Sequence, residues 1–139
     1  MKVNLKLVEK MHIVAKDSNN HITEFDTIES VGGENKASAP MVVLLQAMAA
    51  CSMMDVAAII RKKRKTIVEL KIEVEGERAA QHPKVFETVH LKYLLRSPDA
   101  EMKDLERAIE LSQTTYCAAS AMFKRSGCKV TTEAHLEKS

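Results

Sequence analysis

The spacing of apolar residues divides the chain into segments of different period. From Lys2 to Val8 it alternates, with Val3, Leu5 and Leu7 on one face and Lys2, Asn4 and Lys6 on the other, as in a half-buried strand. Met11 to Ala15 is a second apolar stretch, closed by the turn cluster Asp17-Ser-Asn-Asn20, and His21 to Ile28 reads as the returning strand. Residues 1–30 therefore predict a small antiparallel meander. Gly32-Gly-Glu-Asn-Lys36 reads as a flexible joint. Ser38 is placed to cap the helix that follows, with Pro40 tolerated in its first turn.

From Pro40 to Ile60 the alternation gives way to a nearly unbroken apolar run. It predicts a helix over 38–63 with no polar side, the mark of a helix buried all round or inserted in a membrane. The run is about long enough to cross a bilayer. Gln46, Ser52 and Asp55 interrupt it, however, and amphipathic strands flank it, so a buried central helix and no membrane association are expected. A small domain can hardly enclose such a helix alone, which predicts an obligate homodimer. Arg61-Lys-Lys-Arg-Lys65 closes the run. Cations there complement the helix dipole and mark the exit into water.

Alternation resumes at Val68, Leu70, Ile72 and Val74, set against Glu69, Lys71, Glu73 and Glu75. Val85 to Leu95 is the expected antiparallel neighbour, so 66–96 reads as a strand pair. Two helices are expected over 98–126: one begins at Ser97-Pro-Asp99 with Met102, Leu105 and Ile109 as its inward stripe, and one is capped by Thr115 and stopped by Gly127. A last strand over 128–137 puts Cys128, Val130, Thr132, Ala134 and Leu136 on one face. Together, residues 1–139 read as a single α+β domain.

Composition narrows the chemistry. Two Tyr, three Phe, no Trp and eight Met predict an aliphatic, methionine-rich core. A net charge of +2 is too small to point to nucleic acid. Five histidines without ligand spacing predict no metal site, and no phosphate-binding loop or dinucleotide fingerprint implies a cofactor. Three cysteines with no Cys-x-x-Cys make no disulfide framework. The charged opening Met1-Lys-Val-Asn-Leu-Lys6 is unlike a secretory signal, so a reducing, cytoplasmic setting is expected.

The thiols carry what reactive chemistry remains. Cys51 lies deep in the long helix, and Cys117 lies in the first turn of the last one, where free N–H groups favour a thiolate. They are 66 residues apart, so only the fold can pair them. Cys51 is too far along its helix for the dipole to reach, and Asp55 one turn on opposes a thiolate, so its activation requires a cation from elsewhere. A buried, inert thiol is the alternative, and Cys128 reads as a core residue.

The order of elements, together with Gly32-Gly-Glu-Asn-Lys36, Ala39-Pro-Met41, Leu44-Leu-Gln-Ala-Met-Ala-Ala-Cys-Ser-Met-Met-Asp-Val56 and Tyr116-Cys-Ala-Ala-Ser120, resembles the OsmC/Ohr family of thiol-dependent hydroperoxide reductases, and within it the less characterised OsmC-like branch. The resemblance implies antiparallel sheets wrapped around the long helix in an intertwined homodimer. It implies Cys51 as the peroxidatic thiol, oxidised to a sulfenic acid, and Cys117 as the resolving thiol that closes a disulfide. A lipoyl-type dithiol would regenerate them, and the apolar surroundings suit an organic hydroperoxide. The family's peroxidases set an Arg from the N-terminal strands against the thiolate, held by a Glu just after the helix proline. Here no Arg precedes Arg61, and Met41 follows Pro40. Lys6, Lys10, His12, Glu34 or a basic residue of a second subunit are candidate substitutes. A non-catalytic dimer that binds a small apolar ligand or senses redox state is the alternative function.

Overall fold

A computed structural model describes all residues from Met1 to Ser139. The chain comprises two compact units, Met1–Leu44 and Leu45–Ser139. In the first, β1 (Asn4–Glu9), β2 (His12–Lys16) and β3 (Ile22–Phe25) form an antiparallel sheet in that order. Lys10 makes the first turn with a positive φ of 48°, and Asp17 makes the second by accepting the Asn19 and His21 amides.

The glycine-rich segment, expected as a flexible joint, is a tight turn built around a buried carboxylate. Asp26 accepts the Thr27 amide at 2.8 Å, the Lys36 amide at 3.0 Å and the Glu34 amide at 3.3 Å. Gly33 closes the turn so tightly that a Cβ there would lie 2.0 Å from the Thr27 carbonyl oxygen. Gly32, with φ of 92°, turns the chain out of the short 3₁₀ segment before it.

The helix α1 (Pro40–Lys62) carries the chain into the second unit. There β4 (Glu69–Arg78), β5 (Phe86–Ser97) and β6 (Lys129–Lys138) form a sheet in that order. The pair β4–β5 is antiparallel, but β5–β6 is parallel, with Val89 opposite Val130 and Leu95 opposite Leu136. The expectation of antiparallel sheets is corrected here for a topological reason. Between β5 and β6 run α2 (Met102–Leu111), a π-helical turn (Ser112–Tyr116) and α3 (Ala118–Arg125), and a helical crossover of that length is what a parallel pair needs.

Val89, Leu91, Tyr93 and Leu95 of the central strand face the core, and α1 supplies Met48, Ser52, Val56 and Ile60 at four-residue spacing. The helix α2 starts later than expected. Ser97 accepts the Ala100 amide at 3.0 Å, and Glu101 with Asp104 then forms a reciprocal capping box. Lys63, from the basic run, pairs with Asp104 at 3.4 Å and ties the end of α1 to α2. The helix α1 is not covered all round in the single chain: Val42, Leu44 and Met54 are exposed.

Candidate functional site

The chemistry-bearing side chains of the second unit converge on the buried face of α1. Cys51 is half-buried there, next to the fully buried Ser52. Cys117 reaches the same place from the other end of the sequence. After α2 the chain widens into the π-helical turn, where the Cys117 amide donates to the Ser112 carbonyl five residues back, at 2.7 Å. At Cys117 the backbone becomes extended, and α3 begins.

Cys117 is therefore not in the first turn of α3, and Thr115 does not cap that helix. Cys117 is itself the cap: its sulfur accepts the Ser120 amide at 3.3 Å. The Ser120 hydroxyl and the Cys51 thiol are this sulfur's other neighbours, and both act on its ionisation. Burial is the strongest influence and pushes the Cys117 thiol up, as does Cys51, while both Ser120 groups pull it down. None of these leading influences is a cation. Cys128, just before β6, is buried, and burial pushes its thiol up too. All three cysteines are unbridged.

Beside the thiols lies a network of buried polar groups. Ser52 Oγ lies 2.5 Å from the Tyr93 hydroxyl and 2.8 Å from Ser112 Oγ, which donates to Asp55 at 2.9 Å. The Gln113 amide nitrogen donates to Ser120 Oγ at 3.0 Å and lies 3.3 Å from Ser52 Oγ and 3.4 Å from the Tyr93 hydroxyl. Burial is the main reason Tyr93 ionises above its ordinary range, and the neighbouring Cys117 and Asp55 add to it. A cavity of about 470 Å³, lined in part by Ile109, Gln113, Lys124 and Val130, lies on the α2–β6 side, and neither thiol lines it.

In the sequence, Ser52 and Asp55 stood out as interruptions of an apolar run, Asp55 also as an anion opposing a Cys51 thiolate, while Tyr93, Ser112, Gln113 and Ser120 were missed as members of a site. Two signals were available: Ser52 stands in phase with the stripe Met48-Ser52-Val56, and Tyr93 holds the inward phase of its strand. Of the candidate substitutes for the missing Arg and Glu, His12 is engaged by Glu24 at 3.1 Å, and Glu34 pairs with Lys36 at 3.4 Å.

Residues 33–133 match the family described as OsmC-like protein. Protein YhfA of Escherichia coli K12 is 26% identical over 125 residues, which cover 90% of each chain. A hypothetical protein from Aquifex aeolicus VF5, solved by crystallography, is 33% identical, with a TM-score of 0.81 over 99% of this chain and 97% of its own. A Legionella pneumophila organic hydroperoxide resistance protein OsmC has the same fold at 13% identity, with a TM-score of 0.67 and 97% of each chain covered.

Proposed function

Because the chain belongs to the OsmC-like protein family, we propose that it reduces organic hydroperoxides, with Cys51 as the attacking thiol and Cys117 as the resolving one. The observation that carries this reading is that the half-buried Cys51 thiol lies near enough to Cys117, at the cap of α3, to push that thiol up. The more exposed Cys51 is the sulfur a peroxide reaches first. As a thiolate it attacks ROOH: the O–O bond breaks, Cys51 becomes a sulfenic acid, and the alkoxide leaves and takes up a proton as ROH. The Cys117 thiolate then attacks the Cys51 sulfur, an S–S bond forms, and hydroxide leaves as water once protonated. A lipoyl-type dithiol reduces the disulfide and becomes oxidised itself.

The protein works as a homodimer in this reading, with a second copy covering the exposed Val42, Leu44 and Met54 of α1. A cytoplasmic setting fits three unbridged cysteines. One observation favours a second reading, a dimer that binds an apolar ligand or senses redox state without turnover: burial raises the Cys117 thiol, and no cation is prominent against it.

Consumption of cumene hydroperoxide by the reduced protein with dihydrolipoamide tests the proposal. Turnover is expected to vanish in Cys51→Ser. Cys117→Ser is expected to accumulate a sulfenic acid that dimedone traps. A native protein that consumes no peroxide and keeps both thiols free rules the peroxidase reading out.

A further inference from the structure

Each hydroxyl has one proton to give, and this fixes the direction of the buried network. Ser112 donates to the Asp55 carboxylate oxygen. With that proton committed, Ser112 receives the proton of Ser52, and Ser52 receives that of Tyr93. Ser52 and Tyr93 are left presenting lone pairs to Gln113. Lone pairs admit the amide nitrogen and exclude the amide oxygen, so the Gln113 side chain is held one way round. Its N–H groups also serve Ser120 Oγ. Having accepted from Gln113, the Ser120 hydroxyl still has its own proton to give, and the Ser120 amide, donating to the Cys117 sulfur at 3.3 Å, holds this residue beside it.

The orientation has a cost, because Gln113 Oε1 is buried without a partner. Turned over, that oxygen would face Ser120 and draw its proton away from the sulfur. We propose that Gln113 is a positioning residue for the thiol chemistry: held by a chain of hydroxyls ending on Asp55, it aims the Ser120 hydroxyl at the Cys117 sulfur. The inference deepens the peroxidase reading, on which it rests for the role of Cys117 as resolving thiolate. Lys124 fixes the main chain at the same residue, donating to the Gln113 carbonyl at 2.8 Å.

The arrangement makes Asp55 act against its own charge. By Coulomb's law alone, removing an anion favours a thiolate nearby. Through the chain, removing Asp55 releases Ser112, Ser52 and Tyr93, frees the Gln113 amide to turn, and costs Cys117 a donor. The ionisable groups that bear on Cys117 are Cys51 from α1 and Tyr93 from β5. Asp55 acts from the far end of the network, through Ser112 and Ser52.

The pH profile of Cys117 alkylation by iodoacetamide, in full-length protein carrying Cys51→Ser and Cys128→Ser, reads this without any peroxide. Ser120→Ala, Gln113→Met and Asp55→Ala are each expected to shift the profile to higher pH. A hydrogen bond to a charged group is worth enough to slow alkylation about tenfold at fixed pH on the rising limb. An unmoved profile in Gln113→Met or Ser120→Ala overturns the proposal, as does faster alkylation in Asp55→Ala. Cumene hydroperoxide consumption, measured separately with all three cysteines present, shows whether the peroxidase reading stands when the alkylation result fails.

Discussion

Asp26 in the first unit and Asp55 in the second are both carboxylates that organise their surroundings, but by different means. Asp26 is met by the backbone amides of Thr27, Glu34 and Lys36, all within ten positions along the chain. Asp55 is met by the hydroxyl of Ser112, 57 positions away, and through it by Ser52 and Tyr93. Amides are fixed donors whose direction does not depend on other side chains, so the first centre holds one shape. Hydroxyls take their direction from their neighbours, so the second passes orientation along. One carboxylate makes a turn rigid, and the other sets polarity beside a thiol.

The sharpest way to break this contrast is Gly33→Ala. The added methyl would meet main-chain atoms of Thr27, which have no rotamer to yield, and the turn should lose about 3 kcal/mol in urea unfolding. Tyr93→Phe removes one hydroxyl from the second centre and leaves the packed ring. A loss of about 1 kcal/mol is expected by the same measurement.

Acid pH separates the centres further. The Lys36 amide above all holds the Asp26 carboxyl below its ordinary value of 3.8. Its contribution is therefore complete above that value and is lost as the pH falls through the lowered one. Asp26→Asn should weaken the native protein near neutrality and flatten its acid unfolding limb, followed by circular dichroism.

The smallest effect belongs to a cluster at the surface. Glu133 lies 2.8 Å from His90 and 2.5 Å from His135, and these imidazoles, His135 first, bring its carboxyl down to about 2. Carboxyl NMR titration should show that value. His135→Ala should move it back towards 4.5, the ordinary figure for this side chain. Any stabilisation by Glu133 is thus complete above 4.5 and disappears on the way down to about 2.

The same contrast explains what the sequence disclosed. Strands with period-two alternation and the uninterrupted apolar helix were legible because each rests on residues close together in the chain. The Gly32-Gly-Glu-Asn-Lys36 segment was visible as a motif, yet its purpose was not, because an amide cradle for Asp26 leaves no side-chain signature beyond the glycine it requires. The parallel seating of β6 was hidden: alternation gives a strand its faces but not its direction. Least legible was the hydroxyl network. Its members come from α1, β5, the π-helical turn and α3, and each alone is an ordinary polar residue. Cys51 and Cys117 stood out only because sulfur is rare and their flanking residues resembled a family.

The five-residue turn between α2 and α3 works as a phase shifter. An α-helix advances about 100° per residue, whereas a π turn closes on the fifth residue, and here the Cys117 amide closes it on Ser112. The turn thus takes up one residue more than an α-helix allows, and the sequence after it arrives out of step with the sequence before. Deleting a single residue such as Thr115 would leave the Cys117 amide without its five-residue closure on Ser112. The cap of α3 would lose its seat beside Cys51, with every residue of the site still present in the chain.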